Sequence, residues 1–186
     1  MKRLFDFFLA LVLLTVALLP MVMIALLVKL TSKGPVLYWS DRVGRDNVIF
    51  PMPKFRSMRR DTPAVATHLL QDPKSVLTPI GEFLRKSSLD ELPQLWCVLI
   101  GKMSFVGPRP ALYNQHDLIA LRTEKGVHKL PVGVTGWAQV NGRDELPISR
   151  KVDLDVEYLH RRSFGFDLYV LWLTLIRVLQ QDGVSH

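Results

Sequence analysis

The chain has 186 residues, enough for one domain with a real core plus an attachment. Its 24 Lys and Arg against 17 Asp and Glu leave a formal net charge of +7, which points to an anionic partner: nucleic acid, phospholipid or a phosphorylated substrate. The single cysteine, Cys97, excludes an internal disulfide, and the five histidines lack the HxxxH or HxH spacing of a histidine metal site.

From Phe7 to Val28 run 22 residues without a formal charge, about 33 Å as a straight helix against a hydrocarbon core of roughly 30 Å. The run exceeds the apolar region of a signal peptide, and no small-x-small cleavage site follows it. Lys2 and Arg3 precede it while Lys29 and Lys33 follow, so positive charge does not mark one end as cytoplasmic. Pro20 removes a helical hydrogen bond inside the run, and Thr15 stands ready to satisfy a freed backbone group. The segment therefore reads as a re-entrant helix-break-helix with its membrane break at Pro20, a single crossing being the alternative.

Next, "PVLYWS" and "NVIFPMPKF" flank "DRVGRD", a β-hairpin whose second strand Pro51 and Pro53 confine to an edge. "TPAVATHLLQD" reads as a short helix and "TPIGEFLRKSS" as a helix or turn. In "SSLDELPQLW", Ser88 and Glu91 have the spacing of a capping box. With Ser88 as cap, however, Pro93 would fall at the fifth helical position, so the helix is expected near Pro93, with Asp90 and Glu91 just outside its positive end. "ISRKVDLDVEYLHRR" repeats apolar residues at helical spacing, and "FDLYVLWLTLIRVLQQ" is apolar on nearly every face, which suits burial or an interfacial helix.

Cations recur in polar islands: Lys54, Arg56, Arg59 and Arg60; Arg85 and Lys86; and Arg109 between two prolines. The 59–60 pair reads as a solvated face. Arg109, on a loop stiffened by Pro108 and Pro110, loses less freedom on binding, and its planar fork suits phosphate. "GVTGWAQVNGR" is a binding loop offering Gln139, Asn141 and Arg143, or a pair of turns with Trp137 in the core. Asp153 and Glu157 share a helix face that is a metal site or, more simply, solvated.

In this order, "KFRSM", "LRKSSLDELPQLW", "MSFVGPRP" and "GVTGWAQVNGR" closely resemble the bacterial sugar transferases, the monotopic phosphoglycosyl transferases, in their small single-domain form. The chain departs from the usual pattern at Ser57, Cys97 and Lys102. The resemblance implies an α+β, predominantly helical fold: a re-entrant membrane hairpin over 1–31, then a catalytic domain over 32–186 with interfacial helices and the small hairpin around an active site on the cytoplasmic face of the bacterial inner membrane. It implies transfer of a phosphosugar from a UDP-sugar to polyprenyl (undecaprenyl) phosphate with Mg²⁺, through a covalent intermediate on Asp90 and with release of UMP, as the initiating step of surface-glycan or glycoprotein synthesis. Glu91 would then assist in metal binding or proton handling, Asp90 and Glu91 being the metal ligands; Arg109 would hold phosphate, and Lys54 and Arg85 would line the site, with Arg56, Gln139, Asn141 and Arg143 as further substrate-binding candidates. Partners are the UDP-sugar, polyprenyl phosphate and membrane lipid; nucleic acid is not expected, and self-association into a homo-oligomer stays open. An aspartate of ordinary pKa, about 3.9, needs no base to act as a nucleophile. Two like charges 4 Å apart repel by about 4 kcal/mol at an effective dielectric of 20, so a carboxylate attacking a diphosphate needs cations beside it. The rival readings are a membrane-tethered basic module that binds anionic lipid or nucleic acid, and a UDP-sugar phosphodiesterase.

Overall fold

The computed structural model describes residues 1–62, 72, 75–142 and 146–180. Helix α1 (Lys2–Thr31) carries the apolar segment, and it is long and apolar enough to cross a membrane by length and composition. It runs unbroken through Pro20, so the expected break is not an interruption of the secondary structure. The lost Pro20 N–H deprives the Val16 carbonyl of one bond, and Thr15 does not replace it, because its hydroxyl donates to the Leu11 carbonyl at 2.8 Å. A lateral anchor explains the continuity: Asp6, Ala10, Ile24 and Val28 are buried, with Leu14, Ala17 and Met21 half-buried between them. That spacing of threes and fours is one stripe laid along the domain, while Pro20 stays on the exposed side.

Strands β1 (Leu37–Val43) and β2 (Ile49–Phe55) form the expected antiparallel hairpin, and the short β4 (Ala111–Leu112) pairs with the other side of β1. The order β2-β1-β4 leaves β2 at an edge, where Pro51 and Pro53 spare the ladder two missing donors. The turn lies later than expected: Asp41 and Arg42 stay in the strand, and Asp46 and Asn47 take φ of 55° and 59°, left-handed values that Asp and Asn tolerate best.

The helix expected in "TPAVATHLLQD" falls almost wholly outside the described residues. Helix α2 (Gly81–Lys86) begins where a Cβ on residue 81 would lie 2.0 Å from the Ser57 carbonyl oxygen, so glycine is required. A 3-10 turn over Leu89–Gln94 leads directly into α3 (Leu95–Leu99). Strands β3 (Ser104–Val106) and β5 (Gly133–Thr135) pair in parallel across the intervening α4 (His116–Glu124). After α5 (Trp137–Val140), α6 (Ile148–Arg161) and α7 (Phe164–Gln180) close the domain, α6 where apolar residues recur at helical spacing and α7 where they cover nearly every face. The main core joins β2, α3, β3, α5 and α7 with Ala10 of α1.

Both ends of α1 are tied to this body. Lys2 Nζ donates to the Val106 carbonyl and pairs with Asp167 at 2.6 Å; Arg3 donates to the carbonyls of Val98 and Leu99; Asp6 accepts from Ser104 Oγ and the Phe105 N–H. At the far end Ile24 and Val28 pack with Phe55 and Leu84, and the Arg56 guanidinium donates to the Ser32 and Lys33 carbonyls. Away from the domain α1 exposes Leu4, Phe8, Leu11, Leu19, Leu26 and Leu30, and α7 exposes Leu168, Trp172 and Leu175. These apolar surfaces far exceed scattered singles and mark a surface for another apolar phase.

Candidate active site

Asp90 and Glu91 lie inside the 3-10 turn, not ahead of a helix beginning at Pro93. The capping box is not formed: Ser88, at φ 57°, makes no side-chain cap, and only its carbonyl engages the Glu91 N–H. The tight turn accommodates Pro93 and points both acids inward against β2.

Lys54, near the end of β2, donates to Glu91 Oε1 at 2.7 Å. Arg109 donates to the same oxygen at 2.7 Å and reaches Oε2 at 3.5 Å. Burial alone would raise the Glu91 pKa, but Arg109 and Lys54 together hold it well below the usual carboxylate range. Asp90, 6% exposed, takes part in no ion pair among the described residues. Burial pushes its carboxyl up to about 6; Glu91 adds to that rise, while Lys54, Arg85 and Arg109 oppose it. The ordinary pKa assumed from the sequence is thus corrected upward, although the group remains mostly ionised at neutral pH. Burial also lowers the Lys54 pKa, reinforced by Arg109 and Arg42 and opposed by the two acids.

The Arg109 loop is positioned by backbone packing. A Cβ on Gly107 would stand 2.2 Å from the Pro131 carbonyl oxygen, and one on Gly136 would stand 2.1 Å from that of Gly107. The glycines of "GVTGWAQVNGR" therefore serve a close approach of the chain to itself, and Trp137 packs against the core, which favours the paired-turn reading of this stretch. Asn141 donates to the Trp137 carbonyl; the Gln139 amide is buried beside Gly136 with no partner among the described residues. Neither is joined to the acidic pair by a described hydrogen bond, and Arg143 lies outside the described residues. Arg56, a substrate-binding candidate from the sequence, is buried, clamps the residues after α1 and is not joined to the acidic pair by a described hydrogen bond. Asp153 pairs with Lys125 and Glu157 with Arg161, so the shared helix face is the solvated one. No cluster of three or more metal-ligating side chains occurs among the described residues.

Sequence reasoning passed over Arg122 and Asp155. Arg122 on α4 donates through Nε and Nη2 to Asp155 of α6, and through Nη1 to the Arg109 carbonyl at 2.7 Å. Asp155 is 1% exposed and stands three residues after Val152 on the buried stripe of α6, the one sequence signal that could have revealed it. Arg42 braces the same loop by donating to the Pro110 carbonyl. Arg122→Gln leaves Asp155 buried and uncompensated, so a loss of about 3 kcal/mol is expected, read as a melting temperature lowered by about 6–12 °C.

The structure thus brings a buried acidic pair together with Lys54 and Arg109 on a body that also carries an extended apolar surface. The chain belongs to the bacterial sugar transferase family, whose sequence profile matches residues 1–181. It is 39% identical over 188 residues to EpsL, an uncharacterized sugar transferase of Bacillus subtilis (strain 168), covering 100% of this chain and 91% of that protein. It is 42% identical over 190 residues to the undecaprenyl-phosphate glucose phosphotransferase of Komagataeibacter xylinus, covering 95% of this chain and 35% of the relative. With the UDP-glucose:undecaprenyl-phosphate glucose-1-phosphate transferase of Escherichia coli (strain K12) the identity is 41% over 163 residues, covering 83% and 35%. The chain thus spans about a third of the length of these two longer relatives.

Proposed function

We propose that the protein transfers a sugar phosphate from a UDP-sugar to polyprenyl phosphate through Asp90. The observation that carries this is the division of labour in the acidic pair: Glu91 is clamped by Lys54 and Arg109, while Asp90 is buried, ionised and outside any described ion pair. The relatives whose names specify glucose or galactose transfer to an undecaprenyl carrier supply the substrate class.

In the first half-reaction an Asp90 carboxylate oxygen attacks the sugar-bearing phosphorus of the donor. A P–O bond forms, the P–O bond to UMP breaks, and UMP departs with the electron pair. In the second, a phosphate oxygen of the polyprenyl acceptor attacks the same phosphorus and expels the Asp90 carboxylate. Arg109, Lys54 and Arg85 offset the charge that gathers on the transferred phosphoryl and relieve its repulsion from the attacking carboxylate. The donor set fits a Mg²⁺ held by one carboxylate and substrate phosphates rather than by a protein cage. Asp90 is the residue with oxygens to offer, whereas a place for Glu91 in that set requires exchange with its two cations. Bound there, Mg²⁺ would neutralise diphosphate charge.

A seat on one membrane face is supported by the anchoring of both α1 ends to the same body, since a crossing helix carries its ends to opposite faces. In this reading the exposed flank of α1 lies in the bilayer of the bacterial inner membrane, α7 lies beside it, and the acidic pair faces the cytoplasm, where UDP-sugars are made. The product would then initiate a surface glycan or glycoprotein glycan.

The test is UMP release from a panel of UDP-sugars with Mg²⁺, with and without polyprenyl phosphate. Acceptor-dependent release of the sugar-phosphate lipid is expected, and release of free sugar phosphate without acceptor would favour hydrolysis instead. Because the Asp90 carboxyl titrates near 6 in the fold, activity should rise through about pH 6 to a plateau near neutrality, as the nucleophile loses its proton. A profile with its acid limb near 4 would show that burial does not set the protonation of Asp90 in the loaded enzyme.

A further inference from the structure

A cavity of about 410 Å³ lies away from the acidic pair. It opens where α1 meets the domain, and its wall carries Lys33, Arg56, Arg59, Arg60, Asp61 and Thr78. Four cations thus face one acid, and that acid already contacts Arg59 at 3.6 Å. Asp90, Glu91, Lys54 and Arg109 are not among the lining residues, so the cavity is a separate place for negative charge.

It is also a built place. Arg56 is 5% exposed, fixed by its bonds to the Ser32 and Lys33 carbonyls, and its Nε has no partner among the described residues. Gly34, at φ 126°, allows the packing: a Cβ there would stand 2.3 Å from Arg56 Nη1 and 3.1 Å from the Arg60 side chain. The rim is set at the end of the apolar segment, where Leu26, Leu27 and Leu30 on the last turns of α1 are 58%, 47% and 82% exposed. These leucines do not line the cavity; they continue the exposed flank of α1 up to Ser32 and Lys33, which do.

We propose that this cavity binds the phosphate headgroup of an anionic membrane lipid, whose acyl chains run along the exposed flank of α1. Guanidinium forks suit phosphate oxygens, and a basic group beside a membrane helix draws anionic lipid. The site would hold α1 at a fixed depth and so set the height of the Asp90 centre against the bilayer. The inference rests on the proposed seat of α1 in a bilayer.

The test uses the full chain and vesicles of phosphatidylcholine alone, or with phosphatidylglycerol or phosphatidic acid at matched charge. The parent should bind neutral vesicles through α1 and anionic ones more tightly. Replacing Arg59 and Arg60 together with Ala should leave the melting temperature and neutral-vesicle binding unchanged while lowering anionic-vesicle affinity by about fivefold per cation removed. Lys102→Ala, at an exposed cation outside the cavity, should cost little. Equal loss in Lys102→Ala would replace the site with a diffuse field, and undiminished binding by the double variant would overturn the cavity site alone. Loss of UDP affinity in the double variant, with vesicle binding intact, would reassign the cavity to the donor. A parent that binds no vesicle of any composition would overturn the membrane seat and this site with it, while acceptor-dependent transfer could still be tested in detergent.

Discussion

Asp90→Asn is expected to lose acceptor-dependent UMP release by about 10⁴-fold or more and yet to melt at a higher temperature than the parent. The first effect follows from removing the oxygen proposed to attack the donor, for which an amide is no substitute. The second follows from linkage. The Asp90 pKa rises from 3.8 to about 6 on folding, so the unfolded chain gives up this proton first as pH increases. The destabilisation is absent below about pH 4, sets in between about 4 and 6, and is complete above 6, where roughly two units amount to about 3 kcal/mol as an upper bound. Some of that gain is offset because Asp90 also supports the charge on Lys54. Thermal melts of both proteins from acid to neutral pH check this: the gap should open through that window. A variant that turns over normally would remove Asp90 from the nucleophile's role, and one that melts lower at neutral pH would remove the burial cost.

Glu91→Gln is expected to act in the opposite sense on stability. Its carboxylate is the shared counter-ion of Lys54 and Arg109, whose side chains are 16% and 36% exposed. Removing one partner of a buried ion pair costs about 3–5 kcal/mol because the remaining charge stays desolvated. Arg109 keeps appreciable contact with solvent, so the lower end, about 3 kcal/mol, applies, or about 6–12 °C in melting temperature. This loss should appear without any metal and should not be recovered by raising Mg²⁺. A variant of unchanged stability whose activity returns with added Mg²⁺ would instead make Glu91 chiefly a metal ligand.

The sequence exposed the chemistry more readily than the architecture around it. "SSLDELPQLW" marked Asp90 and Glu91, and the proline-bound Arg109 and the strand-borne Lys54 were both legible as cations in want of an anion. What did not show was that two of them converge on Glu91 rather than on the neighbouring aspartate. Residues 54, 91 and 109 meet only when β2, the acidic turn and the Gly107–Pro110 loop are packed together, and pairings at such separations leave no local pattern. Arg56 shows the same limit: its charge was visible, but its carbonyl partners at Ser32 and Lys33 were not. In "GVTGWAQVNGR" the sequence left a binding loop and a pair of turns both open, and only the fold shows that Gly133 and Gly136 pack against the backbone at Gly107.

Local properties were therefore set by the sequence itself. A long apolar run dictates α1, apolar residues at helical spacing dictate α6, a stretch apolar on nearly every face dictates α7, two prolines dictate an edge strand, and the acidic pair with the basic surplus marks a place suited to anionic ligands. Tertiary structure alone decided the rest. Lateral packing carries α1 through Pro20 as one helix, because a lost backbone bond is outweighed by a continuous buried stripe. Burial raises the Asp90 pKa while two cations depress that of Glu91, because desolvation and charge pairing depend on what surrounds a carboxylate in space rather than beside it in the chain.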